Sequence, residues 1–550
     1  MLTLPGQPDT GTGRLSAIGR WMPDSSSVVG FAPGDVAAIA QRPRLPVHVV
    51  LDSRDGRVGV AVGGSTIPGS PTGRGTLQLL ASLPPVYPEW LGDRSFCEVH
   101  GVRFPYVCGE MANGIASARM VAAIAGAQML GFFGAAGLPA TRVADTVGEL
   151  AASLGPARAW GVNIIHSPGD SAREEWTADL LIRNRVPCVS ASAFMGLTPA
   201  IIRCAAAGIT ADASGRIVRA RRVFAKVSRA EIAEQFMSPP PADVLGSLVA
   251  RGLITHREAQ LAGLVPVAED ITVEADSGGH TDNRPLSVLL PVVLQLRAQA
   301  AARNGSCPRI RIGAAGGLGD PGAVAAAFAL GADYVLTGSV NQAAVESGLS
   351  CDAKTLLADA DFADVAMAPS ADMFELGVKV QVLKRGTMYA ARAGRLYDLY
   401  LRHESLEAIP PETASRLERE IFRMPLERAW QETRAFWSEH SPSELALAES
   451  SPKRRMALTF RWYLGLSSRW AIDGATDRRG DYQLWCGPAI GTFNRWAAGS
   501  FLADPAQRSV VQIARNLLEG AAVLTRAHQL RTHGADVGLS AFQFTPSILD

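Results

Sequence analysis

No two cysteines in this 550-residue chain fall in a C-x-x-C spacing. The seven that occur (Cys97, Cys108, Cys188, Cys204, Cys307, Cys351 and Cys486) are scattered and odd in number. This argues against a zinc site or a disulfide framework and for small buried apolar residues in a reducing compartment. An excess of charge of one sign is lacking too. Lys and Arg number 53 against 52 Asp and Glu, so there is no electrostatic footprint for nucleic acid or an acidic membrane surface. The opening residues, MLTLPGQPDTGTGR, lack the basic and apolar regions of a signal peptide, and the expected location is the cytoplasm. Internal repeats and low-complexity tracts do not stand out. One uncharged stretch, MVAAIAGAQMLGFFGAAGLPAT over 120–141, is long enough to span a bilayer. Its Gln128, Pro139, Gly126, Gly131, Gly134 and Gly137 instead predict a buried helix, a turn and the short strand LGFFG.

What is present is apolar and rich in glycine. Apolar residues make up 47% and charged residues 19%, ample for a packed core. The 54 glycines exceed the usual share of roughly 7% and point to tight turns or close backbone approach to a ligand. At roughly 100–200 residues per domain, the length allows two to four domains, or one large barrel with additions. Residues 1–100, with the alternating VHVVLD and VGVAVGG and the cluster GGSTIPGSPTGRG (63–75), read as a small β-rich leader. From 101 to 345, eight short apolar runs alternate with helical stretches. They are FPYVCG, LGFFGA, WGVNII, PCVSAS, VFAKVS, ITVEAD, RIRIGAA and YVLTGS. Continuous apolar runs suit strands buried on both faces. The expected fold is therefore α/β, a (β/α)8 TIM barrel. A helical insertion over about 230–265, broken by the three prolines at 239–241, separates strands 5 and 6. Residues 346–550 read as a helical C-terminal region, with a partly basic helix up to 400.

The strongest local motif is IGAAGGLGDPGAVAAAFALGADYVLTGS (312–339). Two successive glycine-ended strands close the barrel, where backbone N–H groups can grip a phosphate. The same stretch holds a G-x-G-x-x-G at Gly317, Gly319 and Gly322, but a Rossmann reading needs an acid at the end of the next strand, and Asp333 precedes it. The second motif, EADSGGHTDNRP (274–285), sits at the catalytic end of the sixth run. Gly278 and Gly279 let a flat ligand lie close, and His280 follows, able to move a proton near neutral pH. His166 is a weaker candidate of the same type. Lys226, inside an apolar run, either holds a phosphate or an electron-rich ring atom or snorkels at the rim. Asn163 offers both a donor and an acceptor, as a planar heterocycle needs, or is a buried structural amide.

GEMANGIAS (109–117), GVNIIHSP (161–168), AKVS (225–228), EADSGGHTDNRP and GAAGGLGDP…GADYVLTGS come in order at the ends of successive runs. Together they resemble the FMN-dependent nitronate monooxygenase-like barrels. The insertion with EIAEQFMSP, the segment APSADMFELGVKVQVLKRGTMYAARAGRLYDLY and the C-terminal MALTFRWYLGLSSRW and DYQLWCGPAIGTFNRW narrow the likeness. They resemble the PfaD-type trans-acting enoyl reductases of polyunsaturated fatty acid and polyketide synthases, over roughly residues 15–530. The resemblance implies FMN reduced by NADPH, a substrate tethered to an acyl carrier protein, and a homodimer. It implies that Met111, Ala112 and Asn113 line the flavin, that Asn163 and Lys226 hydrogen-bond the isoalloxazine, and that Gly278 and Gly279 back it. It implies that Ala315, Gly316, Gly317, Gly338 and Ser339 hold the phosphate and that His280 is catalytic. Glu110 departs from the broader family, which has a small residue before the methionine. The basic residues Lys379, Lys384, Arg385, Arg392 and Arg395 are either a solvated face or a docking site for the carrier protein. The competing readings are a nitronate monooxygenase-like oxidase of small free substrates, and a non-catalytic carrier-binding partner that holds no flavin.

Overall fold

The computed structural model describes residues 16–69, 76–167, 170–303 and 309–550. The opening segment, the end of the 63–75 cluster, Pro168 and Cys307 lie outside these residues. The chain forms two compact units, one of Met1–Leu91 with Leu517–Thr545, the other of Gly92–Asn516 with Pro546–Asp550.

In the larger unit, eight parallel strands close into a barrel. They are Tyr106–Cys108, Leu130–Phe133, Trp160–Ile165, Cys188–Ser192, Arg222–Val227, Asp270–Glu274, Arg311–Ala315 and Tyr334–Thr337, paired in chain order all the way round. Every expected run supplies one of them. Local chemistry starts the helices between them. Ser117 caps Ala118–Gly126 by accepting from Met120 N, and Asp320 caps Pro321–Ala329, where proline at the first position lacks only an N–H that has no partner anyway. The uncharged stretch at 120–141 is thus split between a barrel helix and the second strand, and among the described residues no helix is long and apolar enough to cross a membrane. The insertion is three helices, Ala230–Phe236, Ala242–Ala250 and His256–Ala262, the last held by a capping box between Thr255 and Glu258.

The N-terminal end of the barrel is plugged by the helix Arg94–His100. Its Phe96 stacks on Tyr334 with ring centroids 4.5 Å apart. Asp270 and Arg311, from the starts of the sixth and seventh strands, form a buried two-bond pair at 2.6 and 2.8 Å.

The region after the barrel departs from the all-helical expectation. Val365–Pro369 and Lys379–Leu383 are strands, and with Gly279–His280 they form a three-stranded antiparallel sheet, here termed the rim sheet. The alternation in KVQVL is a strand pattern, masked in the sequence by the amphipathic helix Tyr389–Arg402 that follows. Val380 and Val382 pack into a core with Phe374, Tyr389, Leu396, Phe460 and Tyr463. Helices Leu426–His440, Pro442–Ser450 and Pro452–Asp473 complete this part. Fully buried Asp481 joins Tyr463 Oη (2.8 Å), Arg478 (3.3 Å), Arg423 (3.4 Å) and Arg392.

The smaller unit is a six-stranded antiparallel sheet, in agreement with a β-rich leader. It ends before the helix at 94–100, which belongs to the barrel. It also takes in Leu517–Thr545, so the range 346–550 is shared between the two units. Ala527 and Leu530 of the helix Val510–Thr532 pack with Val36, Ile39, Val49 and Val60. Buried Arg526 donates to the carbonyls of Pro43 and Leu45 at 3.3 Å each.

Candidate active site

The C-terminal ends of the seventh and eighth strands lie side by side, Ala315 opposite Leu336. Beyond Ala315 the chain bends through Gly316 and Gly317 at φ 89° and 72°, a region that only glycine enters without strain. A side chain at Gly317 or Gly338 would meet nothing within 4 Å, so these two positions border open space. A Cβ on Gly316 would sit 2.7 Å from the carbonyl carbon of Ala275, and one on Gly319 2.3 Å from Ala489 O. Gly319 therefore serves close packing against the helix Ala489–Ala497. Asp333 lies at the opposite end of the eighth strand, where it accepts from Ile312 N at 2.6 Å and pairs with Arg297. That removes the dinucleotide reading of the glycine motif. Ser339 Oγ accepts from Gly487 N at 3.0 Å and keeps its own proton to donate. Gly487 belongs to a segment that also covers Gly278, where a Cβ would come 2.6 Å from Cys486 Cα. Of the pair thought to back a ring, Gly278 is thus pressed against protein and only Gly279 faces open space.

A polar floor crosses the same mouth. Lys226, on the fifth strand and 12% exposed, places Nζ 3.2 Å from Glu110 Oε1 and 3.0 Å from Glu274 Oε1. Burial alone would pull the ammonium down, but Glu110 and Glu274 outweigh it and hold Lys226 protonated. Glu110 follows the first strand and reaches across the lumen to accept from Ser190 Oγ (3.0 Å) and Ser192 Oγ (2.6 Å) of the fourth. Its side chain is 4% exposed, and its second oxygen, Oε2, is buried without a hydrogen-bond partner. Lys226 is therefore neither free nor snorkelling. Asn163 Oδ1 accepts from Ala135 N at 2.8 Å, and its amide N–H groups remain to offer a ligand.

The loop after the sixth strand carries His280. Asp276 N bonds Arg284 O at 2.9 Å and closes the loop. Gln381 of the rim sheet donates to Asp276 Oδ1 (2.7 Å) and Ser277 O (3.0 Å), and Asn283 donates to both Asp276 and Gln381 at 3.0 Å. His280 Nε2 lies 3.1 Å from Ser370 Oγ and 3.3 Å from Asp372 Oδ1, with its side chain 33% exposed. His166, the other histidine candidate, is engaged by Glu174 at 2.9 Å.

Other expected residues are engaged within the protein. Met111 is buried, and Asn113, at φ 58°, donates to Ser468 Oγ at 3.3 Å and packs under Gly137. Of that segment Ala112 is half-buried. The basic residues do not form one helical face. Lys379 opens a strand, Lys384 and Arg385 follow its end, and only Arg392 and Arg395 are helical. Arg385 pairs with Asp364 at 3.2 Å, Arg392 with Asp481, and Arg395 with Glu420 at 3.5 Å. Lys379 and Lys384 are exposed with no acidic partner within 4 Å among the described residues. The residues that sequence reasoning missed are Glu274, Ser190, Ser192, Ser370, Asp372 and Gln381. Only Glu274, inside the EADSGGH motif, left a local signal.

The chain resembles several known proteins. It is 47% identical over 80% of its length to one of the polyunsaturated fatty acid synthase proteins of Thraustochytrium sp., covering 30% of that protein. It is 42% identical over 79% of its length to the polyketide biosynthesis protein PksE of Bacillus subtilis, covering 56%. It thus spans between about a third and just over half of these two relatives. Among solved structures, the enoyl reductase domain of MlnA from the macrolactin biosynthesis cluster of Bacillus amyloliquefaciens is 35% identical with a TM-score of 0.77. That match covers 81% of this chain and 99% of the domain. Residues 403–482 match the family described as acyl-carrier-protein S-malonyltransferase, inserted helical domain.

Proposed function

Since the chain belongs to the enoyl reductase family represented by the MlnA domain, we propose that it is a PfaD-type trans-acting reductase. Its reaction is reduction of the α,β double bond of 2-enoyl thioesters on an acyl carrier protein, with FMN and NADPH, in polyketide or polyunsaturated fatty acid biosynthesis. The observation that carries the reading is the mouth of the barrel, where an open glycine cradle meets a polar floor holding both a buried cation and an unpartnered buried acceptor. These residues fit FMN. Gly317, Gly338 and the Ser339 hydroxyl suit its phosphate. Lys226 suits the electron-rich edge of the isoalloxazine, and Glu110 Oε2 suits a ring N–H. When bound, FMN supplies the hydride for the β-carbon and is recharged by NADPH.

The chain's own part is positioning and proton supply. As hydride arrives at the β-carbon, negative charge grows on the thioester oxygen, and a preorganised donor lowers the barrier. His280 is that donor, at the oxygen or at the α-carbon, so that two hydrogens are added in all. The carrier protein is acidic in this reading, and the unpaired Lys379 and Lys384, with Arg385, form its docking edge on the rim sheet. Support for a carrier-bound substrate comes from the names of the relatives and from the carrier-linked helical family matched at 403–482. A homodimer in the cytoplasm completes the proposal.

The test is anaerobic mixing of flavin-loaded protein with NADPH and then with a carrier-bound 2-enoyl thioester. The expected result is reoxidation by the thioester with a mass gain of two hydrogens in the acyl chain. Reoxidation only by oxygen or a nitronate would make the protein an oxidase of small substrates. A protein that stays colourless with FMN would be a non-catalytic partner.

A further inference from the structure

We infer that Asp372, with Ser370 beside it, is a positioning residue that anchors His280 through Nε2 and so presents Nδ1 to the substrate; the substrate half of this rests on the enoyl reductase reading above. Both partners come from the segment after the rim strand Val365–Pro369, some 90 residues from the histidine in sequence. The rim sheet delivers them, because His280 pairs with Val380 and Val380 in turn with Ala368, two residues before Ser370.

The hydrogen bonds fix the tautomer. Ser370 Oγ donates to Asp372 Oδ1, so its proton is committed to the carboxylate and only its lone pairs remain for the ring. His280 Nε2 therefore faces two acceptors, at 3.1 and 3.3 Å, and carries a proton. Nδ1 has no hydrogen-bond partner among the described residues, which leaves it as the atom that meets the substrate. The Asp372 side chain is 54% exposed, and its Oδ1 also accepts from Met373 N at 3.1 Å, which fixes the carboxylate beside the ring.

The charged groups facing His280 are both acidic: Asp372 from beyond the rim strand and Glu274 from the end of the sixth barrel strand. Burial, the largest single influence, favours the neutral ring, but Asp372 and Glu274 outweigh it and raise the imidazole. Burial would raise the Asp372 carboxyl in its turn, but His280 and Ser370 hold it at about 2. In the protonated form, which the two carboxylates favour, the ring gives its Nδ1 proton to the substrate and regains one from solvent, while Asp372 keeps Nε2–H in place throughout.

The experiment is a pH titration of the full chain labelled with 15N-histidine, with His280→Gln to assign the resonance. The wild type should show His280 above the ordinary imidazole value of about 6.5, with Nε2 as the hydrogen-bonded nitrogen. Asp372→Asn should lower that midpoint by about one pH unit or more, and Asp372→Glu should restore most of it. In steady-state enoyl reduction, the alkaline limb of kcat should move to lower pH by the same amount in Asp372→Asn. A merely structural role would lower kcat at every pH and leave the limb in place. An unchanged His280 midpoint in Asp372→Asn, or a hydrogen bond at Nδ1 instead, overturns the inference. If the wild type reduces no enoyl thioester, the functional reading falls, and the titration still decides the role of Asp372.

Discussion

The two ends of the barrel hold the same kind of chemistry, a buried carboxylate beside a cation, and resolve it in opposite ways. At the N-terminal end, Arg311 gives Asp270 two hydrogen bonds, and His100 Nε2 lies 3.2 Å from the same carboxylate. Burial opposes the charge on Asp270, but His100 and Arg311 outweigh it and hold the carboxyl well below the usual range. Both Asp270 oxygens are thus bonded, and the unpartnered His100 Nε2 beside them is sealed under Phe96, whose ring centroid lies 4.7 Å from that of His100. At the C-terminal end, one ammonium serves two carboxylates and Glu110 Oε2 is left without a partner. A carboxylate with both oxygens bonded has nothing to offer a ligand, whereas one with an unbonded buried oxygen carries a desolvation cost that a ligand's donor removes. The difference sets the end that stabilises the barrel apart from the end proposed to work.

The sharpest way to break this contrast is Asp270→Asn. Stranding Arg311 in the closed end should cost about 3–5 kcal/mol, read as a lower denaturant midpoint, with FMN affinity of the folded fraction unchanged. Because the Asp270 carboxyl is held low in the fold, its contribution is full above about pH 4 and is lost as pH falls. The variant's stability should accordingly vary less with pH on the acid side. A variant as stable as the wild type would mean that the two ends do not differ.

At the working end, Lys226→Met should weaken FMN by about 1.5–3 kcal/mol, measured by quenching of flavin fluorescence. Gly338→Val and Gly319→Val form a finer pair. The first fills open space and should lower FMN affinity about tenfold or more, with stability within about 1 kcal/mol. The second collides with Ala489 and should destabilise the fold by about 1–3 kcal/mol. If both variants behave alike, the distinction between a cradle glycine and a packing glycine is lost. The smallest effect belongs to the surface. Lys384→Glu should raise KM about two- to fivefold for a carrier-bound substrate and leave a small thioester surrogate unaffected. Equal effects on both substrates count against docking.

The eight strands were legible because a strand buried on both faces needs an unbroken apolar run, and such a run lies within half a dozen neighbouring residues. The glycine turns at Gly316–Gly317 and Gly338–Ser339 were legible for the same reason, since a left-handed bend or an open cradle is a property of the residue that makes it. The strand Lys379–Leu383 was misread because its five residues are outweighed by the longer helical pattern beside them. Nothing near Glu110 in the chain announces Ser190, Ser192 or Lys226, and nothing near His280 announces Ser370 or Asp372. Nor does the leader announce the C-terminal residues Ala527 and Leu530 that pack in its unit. The amino-acid order settled which segments fold locally and where the backbone can turn. Barrel closure and the pairing of the rim sheet settled which buried polar groups meet. A hydrophobic period is satisfied by any apolar neighbour, but a buried charge is satisfied only by particular atoms that the folded chain brings within about 3 Å.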